Sequence, residues 1–117
     1  MVSVCNEETM HSERVKSALA AMPNNEEIEI IGQRFKALSE PSRIKILFAL
    51  QAGELCVDHI VEAVGGNQSA VSHQLKTLKD NKIVKSRRDG KKILYAVSDG
   101  HVAAMLLLAK EHLNCNE

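Results

Sequence analysis

With 117 residues and 15 Lys or Arg balanced by 15 Asp or Glu, the chain is neutral and one domain long, too short for an enzyme-sized cavity beside a second domain. Apolar residues make up 44% but aromatics only 3%, with no Trp, so the core has to be built from Leu, Ile, Val, Ala and Met, and the fold is expected to be mainly α. No apolar run approaches the length of a membrane span, and the polar N-terminus lacks the basic and apolar regions of a signal peptide; both predict a cytoplasmic protein without a membrane partner. The three cysteines, Cys5, Cys56 and Cys115, are odd in number and far apart, which suits free thiols or metal ligands better than a disulfide framework.

Residues 1–12 are polar and without periodicity, and are predicted to form a flexible arm ahead of a single domain spanning 13–117. A short helix over 14–22 is stopped by Pro23. The next, over 26–38, places Ile28, Ile31, Phe35 and Leu38 on one face and Glu26 and Glu27 at its positive end. Pro41 suits the first position of a helix running to about Gln51, which Gly53 ends. A helix over 57–64 then meets a second over 67–79 through Gly65-Gly66-Asn67, where glycine admits the positive φ of a steep turn. Two β-prone runs, 83–88 and 91–97, flank Asp89-Gly90, a dipeptide suited to a type I′ hairpin turn. Ser98-Asp99 starts a last helix reaching about Asn114.

Residues 55–92 carry the chemistry. In the second helix of the pair, Val71, Leu75 and Leu78 recur at buried spacing, leaving Gln68, Ser69, Ser72, His73 and Lys76 outside. Such side chains in the first turns of a helix can reach base edges and phosphates in a major groove, although a solvated amphipathic helix looks the same in isolation. The hairpin decides between them. From Lys76 to Lys92 there are eight Lys or Arg against two Asp, with Arg87, Arg88, Lys91 and Lys92 at the hairpin tip, so a neutral chain concentrates its positive charge in one segment. Helix-turn-helix plus basic hairpin reads as a winged helix (α+β) that binds double-stranded DNA.

The last helix is more apolar than a surface helix should be: Val102, Ala103, Met105, Leu106, Leu107 and Leu108 occupy much of its circumference, so it needs cover from its own domain and from a partner. At about 100° per residue His101, His112 and Cys115 share one edge, with Asp99 at its start, but the two pairs Asp99/His101 and His112/Cys115 stand about 16 Å apart along the axis, too far to share an ion whose bonds are about 2.0–2.3 Å. Two copies packed antiparallel about a two-fold axis would bring Asp99 and His101 of one against His112 and Cys115 of the other, forming two equivalent sites per homodimer. An Asp, two His and a Cys suit tetrahedral Zn(II), with Co(II) and Cd(II) as competitors. Taken singly, Asp99 can be a helix cap, the histidines interfacial and Cys115 a terminal thiol.

The segments ALSEPSRIKIL (37–47), GELCVDHI (53–60), QSAVSHQLKTLKDNKIVKSRRDGKKILYAV (68–97) and DGHVAAMLLLAKEH (99–112) resemble the ArsR/SmtB family of metal-sensing winged-helix repressors from about Glu27 to Cys115, and most closely its zinc- and cobalt-responsive efflux-regulator branch. The resemblance implies a last-helix site of Asp-x-His, then His, then a further His or Glu; Asp99, His101 and His112 fall on the first three, and Cys115 departs from the pattern. It also implies a second site, with Cys56 at its centre, Asp58 or His59 beside it and Cys5 or His11 from the arm; Cys56-Val57-Asp58 stands where cadmium and lead sensors have Cys-Val-Cys. The alternative role for Cys56 is that of a small buried apolar group.

These readings predict a non-enzymatic homodimeric repressor that holds operator DNA when metal-free and releases it when Zn(II), Co(II) or Cd(II) binds between subunits. The alternative is a redox- or organic-ligand-responsive winged-helix regulator using Cys5, Cys56 or Cys115. A small hydrolase is disfavoured, since the sequence has neither a nucleophile motif nor His-Glu-x-x-His.

Overall fold

A computed structural model of the chain describes residues 4–115, in which six helices and a three-stranded antiparallel sheet follow the order α1 (Val4–Ala21), α2 (Asn25–Leu38), α3 (Pro41–Leu50), β1 (Leu55–Cys56), α4 (Val57–Val64), α5 (Gln68–Asp80), β2 (Val84–Asp89), β3 (Lys92–Val97) and α6 (Gly100–His112). The chain divides into two units between Ile31 and Gly32. No described helix is long and apolar enough to cross a membrane.

In the first unit the helix begins at Val4, ahead of the helix that the sequence suggested from 14. Periodicity detects only helices with a buried face, and the described side chains of α1 are all exposed. What makes the segment helical is its composition: no Gly or Pro interrupts 4–22, and Glu, Met, Arg, Lys, Ala and Leu are good helix formers. Residues 1–3 and the side chain of Cys5 lie outside the described residues. The start of α2 is a reciprocal capping box, in which Glu27 N–H donates to Asn24 Oδ1 (2.8 Å) and Asn24 N–H donates to Glu27 Oε1 (3.1 Å).

The second unit is built on one apolar cluster. Ile46 and Leu47 from α3, Ile60 from α4, Leu75 and Leu78 from α5 are all 2% exposed or less, and Ala37, Ile83, Val84 and Leu106 close over them. Pro41 opens α3 without a side-chain cap, as its missing N–H allows. Asn67 Oδ1 accepts the Ala70 N–H at 2.8 Å to start α5, and Gly65 and Gly66, both at φ +85°, make the turn between α4 and α5. At the other end of α5, Ile83 N–H donates to Leu78 O and Lys82 N–H to Lys79 O, a Schellman closure with Lys82 at φ +59° where glycine usually sits. Lys82→Gly is therefore expected to raise stability by about 0.5–1 kcal/mol in urea denaturation, since the left-handed conformation costs a side-chain-bearing residue about 1–2 kcal/mol and glycine returns only part of that as entropy.

The sheet order is β1-β3-β2, with Leu55 opposite Tyr95 and Cys56 opposite Leu94 on one side of β3, and Val84 opposite Val97 through Asp89 opposite Lys92 on the other. Gly90 and Lys91 are thus the two turn residues, not Asp89 and Gly90. Only Gly90 of the two has positive φ (+65°), the pattern of a type II′ turn, in which a residue such as Lys can take the second position.

Candidate functional site

Burying Val71, Leu75 and Leu78 forces the opposite face of α5 outward, and Gln68, Ser69, Ser72, His73 and Lys76 are all exposed. A brace fixes that face from behind: Arg43 on α3 donates from Nε to Gln74 Oε1 at 2.7 Å and from Nη1 to the Ala37 carbonyl at 3.2 Å, joining α5 to the last turn of α2. Gln68 and Ser72, at the start of α5, share a cleft of about 350 Å³ with Lys91 and Lys92 of the wing and Asp58 of α4. The second helix and the hairpin therefore present polar and cationic groups to one side.

The four wing cations are not equivalent. Arg88, Lys91 and Lys92 are exposed and none forms an ion pair with a described carboxylate. Arg87, grouped with them from sequence, donates from Nε and Nη2 to Glu54 Oε2 and Oε1, both at 2.7 Å. The hydrogen bond from Arg87 holds the Glu54 carboxyl below its ordinary pKa, and Glu54 in turn raises that of Arg87. On the recognition face Lys76 pairs with Asp80 at 3.3 Å, an exposed contact that phosphate can displace, and Lys79 Nζ donates to Ser86 Oγ at 2.7 Å to tie α5 to β2. Ser72→Ala and His73→Ala are expected to lower affinity for a selected DNA site by about 1–2 kcal/mol each with an unchanged melting temperature, because both side chains are exposed and unneeded by the core; equal losses on random DNA would remove them from base recognition.

Asp99 caps α6: its Oδ1 accepts the N–H of His101 at 2.9 Å and of Val102 at 3.2 Å, and lies 3.5 Å from His101 Nδ1. The backbone hydrogen bond from Val102, followed by that from His101, holds the carboxyl below its usual range. The cap's contribution is thus full above the ordinary carboxylate pKa and is lost as pH falls through the lower folded value. Both cap bonds go to Oδ1. At the far end α6 stops at His112, not Asn114, and Cys115 N–H donates to His112 O at 3.1 Å. All four candidate ligands are exposed, and no three His, Cys, Asp or Glu gather around one point among the described residues.

For the second candidate site, Cys56 is 6% exposed at the start of α4, with Asp58 lining the same cleft, while His59 is exposed and His11 lies on α1 in the first unit. Cys56 lines that cleft too and is not part of the apolar cluster, so its burial is compatible with either role. Sequence reasoning missed β1, the Arg43–Gln74 brace and Glu54; each pairs residues more than 30 apart, beyond the reach of any local spacing rule.

A polar-faced second helix braced beside a basic hairpin defines a winged helix-turn-helix DNA-binding protein. The chain belongs to the ArsR family of bacterial regulatory proteins, whose family model matches residues 40–86. It is 33% identical over 110 residues to a transcriptional repressor SmtB homolog of Synechocystis sp., covering 94% of this chain and 83% of that protein. It is 31% identical over 110 residues to a cadmium resistance transcriptional regulatory protein CadC homolog of Staphylococcus aureus, covering 93% and 90%. Among solved structures it resembles the homodimeric winged helix-turn-helix DNA-binding domain of a Mycobacterium bovis protein, with a TM-score of 0.72 and 28% identity over 80% of this chain and 90% of that one.

Proposed function

We propose that the chain is a homodimeric, metal-responsive transcriptional repressor, which binds operator DNA when metal-free and releases it when Zn(II), or Co(II) or Cd(II), occupies intersubunit sites made by Asp99 and His101 of one protomer with His112 and Cys115 of the other. The observation that carries this reading is α6: two exposed ligand pairs at opposite ends of a helix whose apolar side chains Met105, Leu107 and Leu108 are 39%, 48% and 63% exposed. One such helix cannot bring its two ends to one ion; two antiparallel copies can, and their apolar faces would cover each other. The donor set, one carboxylate, two imidazoles and a thiolate, fits a tetrahedral borderline-soft cation. The relatives support a metal effector, since one is a cadmium resistance regulator, and a homodimer, since the Mycobacterium bovis domain is one.

The switch is a linkage. If metal favours the conformation that binds DNA poorly, DNA must weaken metal binding by the same factor. Titrating DNA-bound protein with Zn(II), Co(II), Cd(II) and Ni(II), with metal stoichiometry measured per chain, tests this: release is expected with at least one of the first three at about one ion per chain. Release by peroxide with indifference to every metal would overturn the reading in favour of a thiol-based regulator.

A further inference from the structure

We infer that Glu54 and Arg87 form a positioning pair that withholds one wing cation from the DNA backbone and thereby holds down binding to non-operator sequences. Arg87 commits both donors of one edge of its guanidinium to the two oxygens of Glu54, at 2.7 Å each. That same two-pronged edge is what an arginine offers a phosphate, so it cannot serve both. Arg88, Lys91 and Lys92 carry no such carboxylate among the described residues, and Arg87 is the ion-paired member of the hairpin's four cations.

The topology shows what the pair joins. In the sheet order β1-β3-β2, Leu55, Tyr95 and Ser86 form one cross-strand row. Glu54 precedes Leu55 and Arg87 follows Ser86, so both side chains lie on the face opposite that row and meet over the central strand. Because β1 runs directly into α4, the pair ties the wing's outer strand to the leading end of the helix-turn-helix. Arg87 and Glu54 are 57% and 37% exposed at the side chain, so the contact adds little to stability and can be changed without unfolding the chain.

The inference rests on the DNA-binding role of the wing. Affinity for DNA of any sequence follows the number of phosphates neutralised, whereas discrimination comes from base contacts made by α5. Removing the Glu54 charge should release Arg87 to a further phosphate, raising affinity for every sequence, while the untethered wing improves operator binding less.

The test measures salt-dependent binding to a random-sequence duplex and to a duplex enriched by in vitro selection on the unchanged protein. Glu54→Gln is expected to steepen the salt dependence on random DNA by about one ion, to raise that affinity severalfold and to lower the ratio of selected to random affinity. The neutral pair Glu54→Gln with Arg87→Gln is expected to keep the original salt dependence. A double variant whose dependence flattens by about one ion would mean that Arg87 leaves Glu54 for phosphate in the complex, and would overturn the inference, as would a Glu54→Gln slope that does not change. Arg88→Gln separates the two levels: it is expected to flatten the dependence by about one ion, and if it does not, the wing does not meet phosphate and the inference falls with that reading.

Discussion

Leu108→Asp is expected to give a folded monomer, and Leu106→Asp, two positions earlier on the same helix, an unfolded chain. Leu106 is 6% exposed and belongs to the core with Ile46, Leu47 and Leu78, so a carboxylate there is buried without a partner and the cavity and desolvation costs add. The loss, about 3 kcal/mol or more, approaches the whole stability of a small domain. Leu108 is 63% exposed and makes no part of that core, so the same substitution leaves the protomer intact and places charge only on the face proposed to meet its partner. Sedimentation would read the assembly and circular dichroism the fold, both on metal-free protein at micromolar concentration. A Leu108→Asp protein that still sediments as a dimer would move the interface off this face of α6.

The contrast between Leu106 and Leu108 also marks what a sequence can convey. That α6 is too apolar for a surface helix is visible in its composition; which leucine faces inward is not, because a helix that is apolar most of the way round carries almost no directional signal. Where the amphipathic contrast is sharp, the reading is good to the residue. The helix over 57–64 and the buried triad Val71, Leu75 and Leu78 were legible because polar and apolar positions alternate at helical spacing, and Pro41 and Asp99 because helix starts obey local chemical rules.

Non-local pairings escaped. The strand β1 is only Leu55–Cys56, and nothing in two residues announces that they will pair with Tyr95 and Leu94. The wing cations were countable from sequence, but their inequality depends on a glutamate 33 positions away from Arg87. Candidate metal ligands fell between these cases. Helical periodicity suggested their common edge, yet α6 ends at His112, so the position of Cys115 depends on the turn beyond the helix, which periodicity does not describe.

His101→Ala and His112→Ala are each expected to abolish tight Zn(II) binding and Zn(II)-driven release of DNA, while leaving metal-free DNA binding near that of the unchanged protein. Histidine is the right choice for the test because Asp99 also caps α6 through His101 and Val102 N–H, so its removal would weaken the helix start and confuse loss of ligand with loss of structure. Both histidines are exposed. In the proposed dimer the two variants damage opposite halves of a shared site. A heterodimer of the two then has one site lacking both histidines and one site with all four ligands, the intact Asp99–His101 end coming from the His112→Ala chain and the intact His112–Cys115 end from the His101→Ala chain. Equal mixing with free exchange makes about half of the dimers heterodimers, so about a quarter of the original sites should return. Cobalt reports which ligands those are: a tetrahedral Co(II) site that includes Cys115 should show a thiolate charge-transfer band in the mixture, absent from either variant alone and from Cys115→Ser, and retained in Cys56→Ser. A mixture that binds no more metal than its components would rule out a site shared across the two-fold axis, and a band lost with Cys56 instead would move the thiolate ligand to the start of α4.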